Sequence, residues 1–168
     1  MELGEGYVGI AISPDNRYLA AASRNGAVRL ASIAESNDEA KEIARLQHGA
    51  GVMTLQFSPD SRVLATASED GTVQFMDTHN GHTIARFEHG APVGHIEFSS
   101  DGRWLSTHSE GTARLFRADL DWYIEQLCSR AGTNLSRSDW ANVIGPDEPW
   151  RPTCPNWHDP DVDVAAKD

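Results

Sequence analysis

The chain has 168 residues, with 14 Lys and Arg against 25 Asp and Glu and a formal net charge of −11 at pH 7. That length supports one ordinary core and does not call for two large domains. Phosphate neutralisation needs clustered Lys and Arg, so the balance argues against nucleic acid and against an anionic membrane surface. What remains is a soluble acidic surface, or a cationic protein partner. Residues 119–168 hold 4 basic and 10 acidic side chains, and so carry −6 of the total. The N-terminus, Met1-Glu2-Leu3-Gly4-Glu5-Gly6, has no basic stretch followed by an apolar run, so no signal peptide is expected. No window approaches the roughly 18 apolar residues of a membrane span. Two cysteines, Cys128 and Cys154, are too few for a disulfide scaffold and are not spaced like a zinc site. A reduced, cytoplasmic chain is the expectation.

One phrase occurs three times. Ile12-Ser13-Pro14-Asp15-Asn16-Arg17-Tyr18-Leu19 returns at Phe57–Leu64 and again at Phe98–Leu105, its serines Ser13, Ser58 and Ser99 lying 45 and then 41 residues apart. A period in the forties with strand–turn–strand content is that of a propeller blade. Each unit opens with an alternating strand, as in Val52–Phe57, that runs into the turn. Pro presets φ there, and Asp holds the turn through its side chain. A small-residue strand follows: Leu19–Ser23, Leu64–Ser68 and Leu105–Ser109. Its small side chains suit an inner strand where blades approach closely.

Gly turns come next, at Asn25-Gly26, Asp70-Gly71 and Glu110-Gly111. They lead into third strands Val28–Ile33, Val73–Asp77 and Ala113–Arg117. In the second unit Asn80-Gly81 supplies positive φ for a tight hairpin, and the fourth strand is His82–Phe87. In the first, a polar rim loop from Ala34 to Lys41 precedes the fourth strand, Glu42–Leu46. The third unit stops after its third strand. Met1–Gly6, with two glycines, is a poor candidate to supply the missing one.

These units resemble WD repeats over roughly residues 4–118. The resemblance rests on the Ser-Pro-Asp turn, the run Ser68-Glu-Asp-Gly-Thr-Val-Gln-Phe75, and the pairs His48-Gly49 and His89-Gly90. It implies an all-β fold: a partial WD-repeat propeller of about three blades, the last lacking its outer strand, with a short helical and Pro-rich C-terminal extension. The repeats would cover about 4–47, 48–88 and 89–118. The sequence departs from the family where Trp is expected near the end of the third strand: Ala31, Met76 and Phe116 stand there. The resemblance therefore leaves no complete His–Ser–Asp–Trp network, but His48, Ser68 and Asp70 could form a Trp-less version in the middle blade. Residues for protein contact are Arg24, Glu69, His89, Glu110 and Trp150. Three blades fall below the ~4 to 8 that close a ring. Either the chain is the C-terminal part of a longer propeller, the favoured reading, or the ring is completed by self-association through unpaired blade edges.

Residues 119–145 read as two short helices. The first carries Leu120, Tyr123, Ile124 and Leu127 at helical spacing; the second is capped by Ser136, with Asp139 and a Leu135–Trp140 staple. Residues 146–168 form a Pro-rich acidic tail whose end is expected to be disordered. Cys128 to Trp140, followed by Trp150-Arg-Pro-Thr-Cys154-Pro155, resembles the ending of large bacterial WD-repeat proteins. That resemblance implies a sensor or scaffold half, with a caspase-like protease, STAND-type NTPase, TIR module or kinase upstream.

Catalytic and metal chemistry is poorly served. His79 and His82 flank the Asn80 turn without a third ligand. His95 and His108 read as blade residues. Cys128 and Cys154, with His158 nearby, lack an orienting group and an oxyanion site and read as packed thiols, whether or not they meet each other where the tail folds back. Gly4-Glu5-Gly6 is no phosphate loop. Asn134-Leu135-Ser136 matches a glycosylation sequon that capping explains. Trp122, Trp140, Trp150 and Trp157 read mainly as pins for the tail. The expectation is a module that is no enzyme and has no cofactor, no metal, no nucleic acid and no membrane, but a protein partner. The alternative is a non-catalytic subunit completing a hydrolase or NTPase effector complex in trans.

Overall fold

The computed structural model describes residues 6–33 and 40–119, together with Trp122, Gln126 and Cys154. Contacts divide the chain into two units, Met1–Asp119 and Leu120–Asp168. The first holds three antiparallel sheets that follow one another along the chain. The first blade is β1 (Tyr7–Ile12), β2 (Tyr18–Ser23), β3 (Ala27–Ile33) and β4 (Ala40–Gln47); the second is β5 (Val52–Phe57), β6 (Val63–Ser68), β7 (Thr72–Asp77) and β8 (Thr83–Glu88). The third has three strands, β9 (His95–Phe98), β10 (Trp104–Ser109) and β11 (Thr112–Arg117), with β11 at its edge among the described residues. Each sheet is a simple meander, and the fold is the expected partial propeller.

The repeated turn does the same work three times. In the first blade Ser13 Oγ donates to Asp15 Oδ1 at 2.6 Å, the Arg17 amide donates to the same oxygen at 3.1 Å, and Tyr18 N donates to Ser13 Oγ at 2.9 Å. Ser58 with Asp60, and Ser99 with Asp101, repeat the serine–aspartate bond at 2.6 Å. The residue after the aspartate takes positive φ each time: Asn16, Ser61 and Gly102. Sequence places three residue types there, and the side-chain bonds force one backbone shape on all of them. Ser61 also ties blades together, its Oγ accepting from Asp15 N at 3.1 Å.

Strand alternation explains the packing. Val63, Ala65, Ala67, Val73 and Phe75 of the second blade meet Val93, Ile96, Phe98 and Leu105 of the third. Leu64, Met76, Val52 and Phe57 point to the other face and meet Ala20, Ala22, Val28 and Leu30 of the first. The second sheet is thus covered on both faces, and all six residues of β6 are buried. At about 25 cal/mol per Å² of apolar area removed from water, both faces of this sheet contribute hydrophobic stabilisation.

The small-residue strand is the second of its sheet, an inner strand as expected, and the first strands of neighbouring blades lie side by side, β1 next to β5 and β5 next to β9. Small residues on β6 serve to admit a sheet on each face. Three expectations change. The hairpin after β7 has only Gly81 at positive φ, because Asp77 Oδ1 accepts from both His79 N (2.8 Å) and Asn80 N (3.2 Å) and builds a longer turn, Thr78–His82. Ala40 and Lys41, expected in the rim loop, belong to β4, while residues 34–39 lie outside the described residues. Cys154 is buried and disulfide-bonded, which overturns the packed thiol expected there. Trp122 and Gln126 are helical. The remaining calls on the two helices, the tail, Cys128, His158 and Trp150 fall outside the described residues.

Candidate functional site

The β2–β3, β6–β7 and β10–β11 turns and the β4–β5 and β8–β9 connections gather at one end of the sheets. In the second blade this end is locked by His48, which is 2% exposed. Its Nδ1 lies 2.9 Å from Thr72 Oγ1 and its Nε2 2.9 Å from Thr66 Oγ1. The Thr72 hydroxyl donates to Asp70 Oδ1 at 2.6 Å, so its oxygen is left to accept from His48 Nδ1–H. Thr66 then donates to Nε2. The imidazole is a neutral Nδ1–H tautomer assigned by its partners.

Asp70 closes the turn. Oδ1 also accepts the Thr72 amide at 2.8 Å, and Oδ2 accepts Gly49 N at 2.6 Å. Burial, the largest influence, pushes the carboxyl up; the Thr72 hydroxyl and amide, the Gly49 amide and His48 together outweigh it and hold the pKa down at about 2. Burial lowers the His48 pKa below its ordinary value, the Asp70 charge opposing this and the Arg86 charge reinforcing it. His48 Nδ1 and Asp70 Oδ1 lie 3.9 Å apart, with the Thr72 hydroxyl between them. Ser68 belongs to the assembly without touching the imidazole: its Oγ donates to Ala50 O and accepts Asp70 N, both at 3.1 Å. Thr66 and Thr72 were missed in the sequence, although Thr66 lies on the same strand face as Ser68, two residues away.

The third blade keeps half of this. Its turn, Ser109-Glu110-Gly111-Thr112, is one residue shorter than Ser68-Glu69-Asp70-Gly71-Thr72, and the residue deleted is the aspartate. Glu110 and Gly111 take φ of 42° and 79°, as a two-residue hairpin loop requires. His89 Nε2 still meets Thr107 Oγ1, at 2.6 Å, and Ser109 Oγ still reaches Ala91 O, at 3.0 Å. Arg114 replaces Gln74 and donates to Glu88 O at 2.7 Å. Burial first, then the Arg114 charge, lower the His89 pKa. In the first blade Asn25 stands in the aspartate's place, accepting Ala27 N at 3.1 Å, and Ala21 stands where Thr66 does.

These locked turns hold Arg24 and Glu69 outward at equivalent positions of neighbouring blades, each directly after its strand's terminal serine. With Gly51, Val52 and Met53 they line an open cleft of about 560 Å³. A side chain at Gly51 would not fit, since a Cβ there would lie 2.9 Å from Arg24 O and 3.3 Å from the Glu69 carboxyl carbon. Met53 is half exposed on the floor. The cleft offers a cation, an anion and a soft apolar contact. Arg24 and Glu69 are thus brought together, Glu110 and His89 sit on the third blade, and Trp150 lies outside the described residues.

The model of the family described as WD domain, G-beta repeat, matches residues 4–31, 40–77 and 79–117, more than half of the chain. The chain belongs to the WD-repeat family. No curated protein matches it. The second match begins on β4 and ends with β7, and the third runs through β8 to the end of β11, so each of these WD repeats supplies the outer strand of one sheet and three strands of the next. Among the described residues no group of three or more His, Cys, Asp or Glu could hold a metal ion, and no helix is long and apolar enough to cross a membrane. WD repeats generally mediate protein–protein interaction.

Proposed function

We propose that this chain is a non-catalytic protein-interaction module, the C-terminal sensor or scaffold portion of a bacterial WD-repeat protein whose effector lies upstream. The observation that carries the reading is the rim cleft. It presents Arg24, Met53 and Glu69 on backbone fixed by hydrogen-bonded turns, an arrangement suited to a protein surface and lacking a nucleophile among its lining residues. Opposite charges flanking a thioether favour a partner segment with an apolar side chain between a basic and an acidic one. The tail sequence supports the bacterial multidomain context by resemblance.

Site-specific photo-crosslinking in the source cell tests the reading. A crosslinker at Arg24 or Glu69 is expected to form a discrete adduct with another protein. The same group at Arg103, in the β9–β10 turn at the opposite end of its sheet, is expected to form none. Equal labelling from both ends, or none from Arg24 and Glu69, would contradict it. The coding sequence ahead of Met1 provides the second check: an effector domain is expected there.

A further inference from the structure

Three of the described residues carry sulfur: Met53, Met76 and Cys154. Met76 is 1% exposed, packed between the first and second blades, and Cys154 is buried and disulfide-bonded. Met53 is 49% exposed, although it follows the buried Val52 in the first strand of the middle blade. Strand register gives the reason. Val52 pairs with Ser68 and Thr54 with Ala67, so Met53 is the extra residue of a β-bulge and has no partner on β6. A bulge re-aims a side chain, and this one places Met53 in the rim cleft with Arg24 and Glu69.

The surroundings suit a reaction at that sulfur. A cleft of about 560 Å³ admits an oxidant as small as hydrogen peroxide. The guanidinium of Arg24 and the carboxylate of Glu69 are inert to it, so the thioether is the reactive group of the lining. Arg24 also brings hydrogen-bond donors to the cleft in which a sulfoxide oxygen, an acceptor, would form. Neither apolar core includes Met53, so a change of its polarity leaves the packing of the blades alone.

We propose that Met53 is a reversible oxidation site that switches the rim cleft from an apolar to a polar floor. The switch rests on the cleft being the protein-contact surface proposed above. The Met53 sulfur attacks one oxygen of hydrogen peroxide, forming the S–O bond as the O–O bond breaks. Sulfur gives up two electrons to the departing hydroxide, which takes the proton of the transferred oxygen and leaves as water. The product is a sulfoxide, polar and chiral where the thioether was soft and apolar, and a methionine sulfoxide reductase reverses the change. Both flanking charges stay in place, and the apolar contact between them is lost.

Two measurements on the purified 168-residue chain test it. Peptide mass spectrometry during graded hydrogen peroxide treatment should show Met53 oxidised about tenfold faster than Met76 or more, and denaturant should erase the difference. Equal rates in the folded chain would overturn the proposal. The second measurement uses a photo-crosslinker at Glu69 and an extract of the source cell. Oxidation, followed by removal of the peroxide, should lower the adduct about tenfold, and sulfoxide reductase should restore it. Met53→Leu should keep the adduct and make it insensitive to peroxide, while Met53→Gln should lower it without treatment; thermal melts show that both variants fold. An adduct of unchanged strength after Met53 is oxidised would overturn the switch alone. No adduct from the untreated chain would contradict the rim reading itself and remove the switch with it.

Discussion

The second and third blades are built from the same repeat, and they differ in how completely each is satisfied. In the second, an apolar sheet lies on both faces, and the turn above it is closed by Asp70, Thr72, His48 and Thr66. In the third, one face is covered, one residue is missing from the turn, and the His89–Thr107 contact stands without an aspartate. A single deletion thus changes a buried four-residue network into one hydrogen bond, and the strand pairing barely notices. Polar networks and apolar packing are separable layers of the repeat, and the middle blade is the one that has both.

The largest effect should come from packing. Phe75, nearly fully buried and in edge contact with Phe87 at 5.3 Å between ring centres, is expected to cost about 3–5 kcal/mol on replacement by Ala. Leu115→Ala, at the equivalent place in the third blade, should cost under about 0.5 kcal/mol in the folding stability of the monomer. Denaturant titration of both variants measures the contrast, and similar losses would erase the difference between the blades.

Removing the imidazole comes next. His48→Ala leaves the buried hydroxyls of Thr66 and Thr72 without their partner and should cost about 2–3 kcal/mol, whereas His89→Ala should cost about 1 kcal/mol or less. The reverse experiment sharpens the comparison. Inserting Asp between Glu110 and Gly111 restores the longer turn and should stabilise the third blade by about 1 kcal/mol, read as slower exchange of the β10 and β11 amides.

These layers were unequally legible in the sequence. The Ser–x–Asp turns were, because every bond that shapes them spans at most five residues, and Ser13, Ser58 and Ser99 do fall at equivalent places on three successive sheets. The network was visible only in part. His48 and Asp70 were named from resemblance, but Thr66 and Thr72 lie 18 and 24 residues from His48, and the strand register that brings them there had to be seen. The small-residue strand was legible because small side chains mark close approach of two blades, as on β6. Cys154 shows a further limit, since a sequence with two cysteines does not reveal whether they remain thiols.

Acid should separate the two layers by a smaller amount. The folded-state pKa of His48 is lowered, so the unfolded chain binds the proton more readily and stability falls as pH drops below the ordinary value near 6.5. Asp70 acts in a second window: its contribution is present above 3.8 and is lost as pH falls towards about 2. Stability measured against pH should show the upper step, and His48→Gln should shrink it to the part that His89, whose pKa is lowered too, contributes, while leaving the lower one.

Native-state hydrogen exchange tests the contrast between the blades most directly. The account predicts that β6 and β7 amides exchange only through global unfolding, while β10 and β11 amides exchange through a lower-energy opening of the third blade alone. Equal protection of β7 and β11 would contradict it, and would mean that the Asp70–His48 network and the second covered face add nothing to the stability of the sheet that holds them.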